Sequence, residues 1–503
     1  MEHVLVVDVG TSSLKVMLYN SSGGLLFRSS QEYHSEVLGN NRVEQSAFTW
    51  KDALLYTFKE TGKFVHDKKI DVDAISVTSQ RASVIPVNRE GEPLHKALMW
   101  QDKRSVEQCD QLSQHLGLRA MYIRTGLRLN PYFSVPKMMW LRDNEPEIFK
   151  QTHKMLGVQD YVIYLLTNKF VTDWSQACRT MLMNISDFQW DEDMLRHTGI
   201  SVDLLPELVP PGSVAGSLTN EIAELAGIPS GIPVIIGGGD QQCAALALNV
   251  LKAGDAEANT GTGSFAIAHS EKPQFDKDCR TLCSASAIPG KWIVEAGIFN
   301  SGAIHRWFRE EFYPAGENAY DLMNEEAAQS PVGSNGLMML PHFEGSAAPY
   351  WNPLAKGMFF NVSLANKRCD FTRAILEGIT LEVKSNLALI ENLIGKISMV
   401  SVAGGLTTLG LFNQIQSDAF NKMIIRYDNN EASSLGALMS AGVTMGIYTD
   451  YEAAFKKISA TDPLVYQPDA KNNEKYEKLH IRKDELYKSI NQGGVYNLFN
   501  EVL

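Results

Sequence analysis

Residues 232–248, Ile232-Pro233-Val234-Ile235-Ile236-Gly237-Gly238-Gly239-Asp240-Gln241-Gln242-Cys243-Ala244-Ala245-Leu246-Ala247-Leu248, pass from a β-branched apolar run through three glycines into good helix formers. The pattern reads as a strand, a tight turn and a helix. Glycines there let a ligand approach the backbone, and the unpaired N–H groups at the start of the helix favour an anion. Phosphate chemistry is a natural use of such a place. Asp240 also has the chemistry of an N-cap, since aspartate readily accepts from the first helical N–H groups. This stretch alone leaves both readings open.

Two further turns frame it. Val4–Val9 runs into Gly10-Thr11-Ser12-Ser13 before Leu14–Tyr19 resumes a strand pattern, and Ala256–Asn259 runs into Thr260-Gly261-Thr262-Gly263-Ser264-Phe265. The turns echo each other, Asp8-Val9-Gly10-Thr11-Ser12-Ser13 near one end and Asn259-Thr260-Gly261-Thr262-Gly263-Ser264 in the middle. Small hydroxyl residues after glycine let N–H and hydroxyl groups converge on an anion, with Asp8 placed to hold a metal through water. The first turn lacks the Lys-Ser/Thr ending of a Walker loop and the Gly-x-Gly-x-x-Gly of a dinucleotide site, and a plain hairpin has the same residues. The echo implies a duplicated α/β unit with a boundary near residues 247–255, giving an N-terminal domain 1–250 and a C-terminal domain 251–503. Two phosphate-gripping turns would then face each other across a cleft. A chain of 503 residues exceeds the size at which one core keeps growing.

Composition bounds the partners. Hydrophobic content of 44% and charged content of 21% are those of a soluble globular protein, and 46 basic against 58 acidic residues give a net charge of -12. The balance argues against nucleic acid or an anionic membrane as a main partner. Cys109, Cys178, Cys243, Cys279, Cys283 and Cys369 form no Cys-x-x-Cys pair and read as reduced thiols of a cytoplasmic protein. The N-terminus has too short an apolar run for a signal peptide, and no segment is apolar for long enough to span a bilayer.

Strand ends carry the remaining polar candidates. Val72–Thr78 delivers Gln80 and Arg81 to a loop, and Ala97–Trp100 delivers Trp100 and Asp102. Amide and guanidinium groups beside an indole suit a polyhydroxylated ligand, although Arg81 and Asp102 equally suit ion pairs. Asn130–Ser134 is a turn before a helix that contains Lys137 and Trp140. Further on, Phe371–Leu393 has the spacing of a long amphipathic helix, and Ser433–Thr444 reads as a small-residue helix able to pack closely. Ser398–Val402 is a strand breaking at Ala403-Gly404-Gly405, either a simple turn or a platform for a nucleobase.

Taken together, these residues resemble the FGGY carbohydrate kinases. Tyr132-Phe133-Ser134-Val135-Pro136-Lys137-Met138-Met139-Trp140-Leu141-Arg142-Asp143-Asn144 is similar to the first family signature. Gly357-Met358-Phe359-Phe360-Asn361-Val362 with Asp370-Phe371 and Ala374-Ile375-Leu376-Glu377 is similar to the second, with Asn361 where glycine is usual. The resemblance implies two ribonuclease H-like α/β domains of the actin, Hsp70 and sugar-kinase type around a central cleft. Gln80-Arg81, Met99-Trp100-Gln101, Ser175–Asn184, Gly239–Gln242 and Ala348–Trp351 look most like glycerol kinases. By that resemblance Gln80, Arg81, Trp100, Tyr132, Asp240, Gln241 and Phe265 line a pocket for a small sugar or polyol. Thr11, Ser12, Ser13, Lys15, Gly261, Thr262, Gly404 and Gly405 face ATP, Asp8 and Asp240 hold Mg²⁺ through water, and Asp240 is the general base. A homodimer is common in such kinases.

Two departures qualify the likeness. Ala82 stands where glycerol kinases carry a glutamate that grips glycerol hydroxyls, and Leu409 stands where they place an asparagine near adenine. A buried hydroxyl left without its partner costs about 1–3 kcal/mol, and the smaller side chain opens room. The implied substrate is therefore larger than glycerol: a tetritol, a pentitol or a ketopentose such as xylulose, although the xylulose-kinase pattern in the same loops is absent. The alternatives are glycerol kinase proper and a sugar-responsive regulatory protein that kept the fold. A chaperone- or actin-like ATPase shares only the two turns.

Overall fold

The computed structural model describes residues 2–314, 316, 318–427, 431–459 and 462–500. The first half opens on an antiparallel meander, β1 (His3–Val9), β2 (Ser13–Asn20) and β3 (Leu25–Glu32), followed by helix α1 (Phe48–Lys68) and strand β4 (Ala74–Ser79). After helix α2 (Ser134–Asn144) comes β5 (Pro233–Gly239), which runs directly into α3 (Asp240–Ala247). The sheet order is Val214–Ser217, β5, β4, β1, β2, β3, with β4 parallel to β1 and β5 parallel to β4.

The second half repeats this plan. Strands β6 (Asp255–Thr260), β7 (Ser264–Ser270) and β8 (Trp292–Ile298) form the antiparallel part. Helix α4 (Arg368–Ile394), β9 (Met399–Ala403), α5 (Gly410–Phe420), β10 (Met423–Arg426) and α6 (Ala432–Thr444) follow. The order β8-β7-β6-β9-β10, with β9 and β10 parallel additions, matches β3-β2-β1-β4-β5 in order and sense. Each half is thus a ribonuclease H-like unit in which the long helix α1 or α4 follows the third strand.

Strand alternation explains the packing. On β1 the side chains of Leu5, Val7 and Val9 join Trp50, Leu54 and Phe58 of α1, while Val4 and Val6 face Leu438 and Ala441 of α6. Both faces are therefore covered, and Val4–Val7 are fully buried. In the second sheet Ala256, Ala258, Ala266 and Ala296 leave room for Ile375 and Ile379 of α4.

Helix α6, late in the chain, packs against the first sheet, as its small residues allow. A Cβ at Gly436 would lie 1.8 Å from the carbonyl oxygen of Cys243 in α3, so only glycine permits this approach. Ser440 donates to the carbonyl of Gly237 at 3.1 Å, and Ser76 donates to that of Ala437 at 2.8 Å. The two halves meet at α3, whose first residue is Asp240. Among the described residues no helix is long and apolar enough to cross a membrane. All six cysteines are free thiols.

Candidate active site

A bulge at Gly237 shifts the register between β5 and β4 just before the chain turns into α3. Gly239 is the N-cap residue, and its N–H donates to Ser175 Oγ at 2.8 Å. Asp240 is the first helical residue rather than the cap; its Oδ1 accepts from the Gln241 N–H at 2.8 Å and faces Arg81 Nε at 3.3 Å. Arg81 is buried and also donates to Gln242 Oε1 at 3.1 Å, whereas 27% of the Asp240 side chain is open. Burial raises the Asp240 pKa above the ordinary carboxylate value against the opposing pull of Arg81 and the Gln241 N–H. A carboxylate so placed is a stronger base than one in water.

The pocket aromatics lie together. Trp100 and Tyr132 meet edge to face at 5.5 Å. Trp100 Nε1 donates to Thr11 Oγ1 at 3.1 Å, tying the Trp100 loop to the first turn. Gln80 is buried with its amide turned to that same turn, where it donates to the Gly10 carbonyl at 3.1 Å. Gln80 Oε1 and Gln241 Oε1 are buried without a hydrogen-bond partner. Asp102 is fully buried and bound by Arg104 at 2.8 Å and by the Val43 N–H at 2.6 Å, a structural ion pair rather than a ligand group. Phe265 stands half exposed on β7 opposite Gly297, in the second half.

Beside the first turn, the Ser434 hydroxyl of α6 donates to Asp8 Oδ2 at 3.0 Å. Burial raises the Asp8 pKa to about 6; Lys15, its cross-strand neighbour, opposes this, and Asp240 adds to it. Lys15 commits its ammonium to Glu431 at 2.8 Å, and Arg28 reaches the same carboxylate at 3.0 Å. Thr11 and Ser13 are partly exposed and Ser12 is open. Gly261 and Thr262 are exposed in the turn between β6 and β7, beside buried Thr260 and Ser264 hydroxyls without partners. Gly404 and Gly405 are exposed at the end of β9, and a Cβ at Gly404 would lie 2.3 Å from the Thr260 carbonyl oxygen. Among the described residues no three His, Cys, Asp or Glu side chains gather as a metal cage.

The paired turns, the Asp240 corner and the duplicated sheets agree with a family-wide match. Residues 3–247 match the N-terminal domain of the FGGY family of carbohydrate kinases, and residues 256–445 match the C-terminal domain. The chain belongs to this family. This FGGY carbohydrate kinase is 29% identical to the gluconokinase of Bacillus subtilis (strain 168) over 468 residues, 91% of each chain. It is 30% identical to the glycerol kinase of Thermococcus gammatolerans over 456 residues, 90% of each chain. The ligand-bound xylulose kinase of Lactobacillus acidophilus shares its fold, with a TM-score of 0.92, 24% identity and coverage of 99% of this chain and 100% of the other. In the kinase's second signature Asn361 has φ 64°, the left-handed region that glycine adopts most easily and asparagine tolerates.

Sequence reasoning missed an ion pair that crosses between the halves. Arg179, buried in the first half, bonds Glu295 Oε1 of β8 at 3.1 Å and Ser284 Oγ at 3.1 Å, and its guanidinium lies 5.7 Å from the Tyr132 ring centre. Burial works against the Glu295 charge, yet Arg179 and Arg81 hold its pKa below the usual carboxylate value. The available signal was a single arginine inside the apolar segment Ala177-Cys178-Arg179-Thr180-Met181-Leu182, which predicts a buried, paired charge.

Proposed function

We propose that this FGGY kinase transfers the terminal phosphoryl group of ATP to a hydroxyl of a polyol or ketose longer than glycerol, of the tetritol, pentitol or ketopentose class. The observation that carries the reading is Asp240, partly open at the start of α3 and held at 3.3 Å by Arg81. Its carboxylate takes the hydroxyl proton as the new O–P bond forms, while Arg81 and the start of α3 keep the carboxylate aimed. Trp100 and Tyr132 offer an apolar wall for the C–H faces of the substrate, and Gln241 Oε1 offers an unused acceptor.

The residues fit Mg²⁺ and ATP. Asp240 helps raise the Asp8 pKa, and two carboxylates rather than a full protein cage suit a cation that keeps most of its waters and shares phosphate oxygens. The unpartnered Thr260 and Ser264 hydroxyls and the tight space at Gly404 suit a phosphate and nucleoside lying against the second turn. Bound there, Mg·ATP supplies the phosphoryl group and the charge that offsets its transfer.

Ala82 supports the longer substrate. It is buried, has φ 68°, and puts a methyl group where a carboxylate would meet a three-carbon polyol. Glycerol kinase proper is the second reading, favoured by the Trp100, Tyr132 and Asp240 group. ADP release measured over glycerol, tetritols, pentitols and ketopentoses separates them. Faster release with a four- or five-carbon substrate is expected; a preference for glycerol favours the second reading, and no sugar-dependent release by any substrate sinks both.

A further inference from the structure

The first signature contains a lysine with no carboxylate bound to it. Lys137, on α2, is fully buried, and its Nζ is surrounded by backbone carbonyls: Pro131 at 3.0 Å, Phe133 at 3.0 Å, Ala82 at 3.4 Å, and Tyr132 closer still. Three of these belong to the loop that carries Tyr132, and the fourth belongs to the loop that carries Arg81. Carbonyls only accept, so they require N–H donors, and an ammonium supplies three from one atom. Burial pushes the Lys137 pKa down to about 7, opposed by Asp102 and Cys109, the charged or titratable groups facing it from the Trp100 loop and the neighbouring helix. Asp102 is itself bound by Arg104.

The Ala82 carbonyl is available to Lys137 in a chain turn with φ 68°, a conformation that costs a residue with a Cβ and persists only where the surroundings hold it. A hydrophobic residue would be buried at this position of α2 more cheaply than a lysine. The amine is therefore spent on holding two loops at a fixed separation.

We propose that Lys137 is a positioning residue that sets the width of the sugar pocket by tying the Tyr132 loop to the Arg81–Ala82 loop. The inference rests on the assignment of these loops to the sugar. It identifies a determinant of substrate size that makes no contact with the reacting atoms.

The test compares Lys137→Met, of similar length but without donors, with Lys137→Gln, which keeps an NH₂ group. With the best sugar of the wild-type enzyme, Lys137→Met should raise the sugar KM about tenfold or more and the ATP KM by a smaller factor, since Gln80 also bonds the first turn, and Lys137→Gln should fall between. Amide hydrogen exchange should speed up at residues 80–83 and 130–134 and stay unchanged at residues 260–264. A sugar KM unchanged in Lys137→Met, or an ATP KM rising as much as or more than the sugar KM, overturns the proposal. Should Lys137→Met fail to fold, Lys137→Gln carries the same two readouts. Exchange reads the clamp without turnover, so a wild-type enzyme inactive on every sugar would sink the functional reading, whereas unchanged exchange in both loops would sink this one.

Discussion

The two small-residue turns have related sequences and equivalent places in their sheets, yet they are held differently. The first turn closes on its own backbone, Gly10 N–H to the Ser13 carbonyl at 2.9 Å, and is tied further by side chains: Tyr33 OH and Gln80 Nε2 donate to the Gly10 carbonyl at 2.8 and 3.1 Å, and Trp100 Nε1 donates to Thr11. The second is fixed mainly by backbone: Gly261 N–H to the Gly263 carbonyl at 2.9 Å, Gly302 N–H to the Gly261 carbonyl at 3.0 Å, and Ser301 N–H to the Thr262 carbonyl at 2.8 Å. A turn held by pocket residues moves when the pocket moves. The second turn takes its outside bonds from the backbone of Ser301 and Gly302 instead. Under the proposed function, the difference would couple the first turn, more than the second, to the loops of Gln80 and Trp100.

The largest effect expected tests the corner between them. Asp240→Asn should cut kcat by about 10²–10⁴-fold while sugar binding persists, because a general base contributes on that scale; near-normal turnover would remove Asp240 from its role. Next comes the backbone-held turn. In Gly302→Ala the new Cβ would lie 2.3 Å from the Gly261 carbonyl oxygen, so the turn must shift. The ATP KM should rise about tenfold or more with the sugar KM nearly unchanged, as overpacking typically costs about 1–3 kcal/mol.

Trp100→Phe probes the side-chain-held turn by removing the donor to Thr11 along with part of the indole. Sugar and ATP KM should both rise, each about 2–10-fold. A change confined to the sugar would erase the contrast between the turns. Ala82→Glu should lower the glycerol KM by up to about tenfold and raise that of longer polyols, by restoring a partner for a buried hydroxyl.

The smallest effect on turnover is expected at Glu257, which follows the same contrast into the strands. By alignment of the two turns it corresponds to Val6 of the first sheet, yet both of its carboxyl oxygens are buried without partners. Burial pushes its pKa up to about 8, with Glu295 adding to the shift. Because the folded pKa lies above the unfolded one, this group favours folding fully below its unfolded pKa, and the contribution is lost as pH rises through about 8. Thermal melts of Glu257→Gln should show less loss of stability than wild type between neutral pH and pH 8, with kcat unchanged. Parallel pH curves for the two proteins would contradict the assignment.

Much of the candidate site is legible in the sequence because its signals are local. Asp240 follows a glycine run at a strand end, and Thr11 and Thr262 sit in turns whose composition announces them. Orientation is not legible. Sequence places Gln80 with the sugar and Lys15 with ATP, while only the fold shows that the Gln80 amide donates to Gly10 and that Lys15 pairs with Glu431. Arg81 and Asp102 looked equivalent in sequence, and only burial and partners separate the one beside Asp240 from the one locked to Arg104.

By itself the sequence determined the duplicated unit, the two turns and the family, because strand alternation, turn chemistry and signature spacing act over a few residues at a time. The tertiary structure alone decided what holds them together. Asp8 meets Ser434, Lys15 meets Glu431, and Arg179 meets Glu295 across chain separations of 426, 416 and 116 residues. Such partners are chosen by the packing of α6 on the first sheet and of β8 beside the Tyr132 loop. No local periodicity encodes that choice, since burial fixes only that a charge must be paired, and the fold supplies the partner.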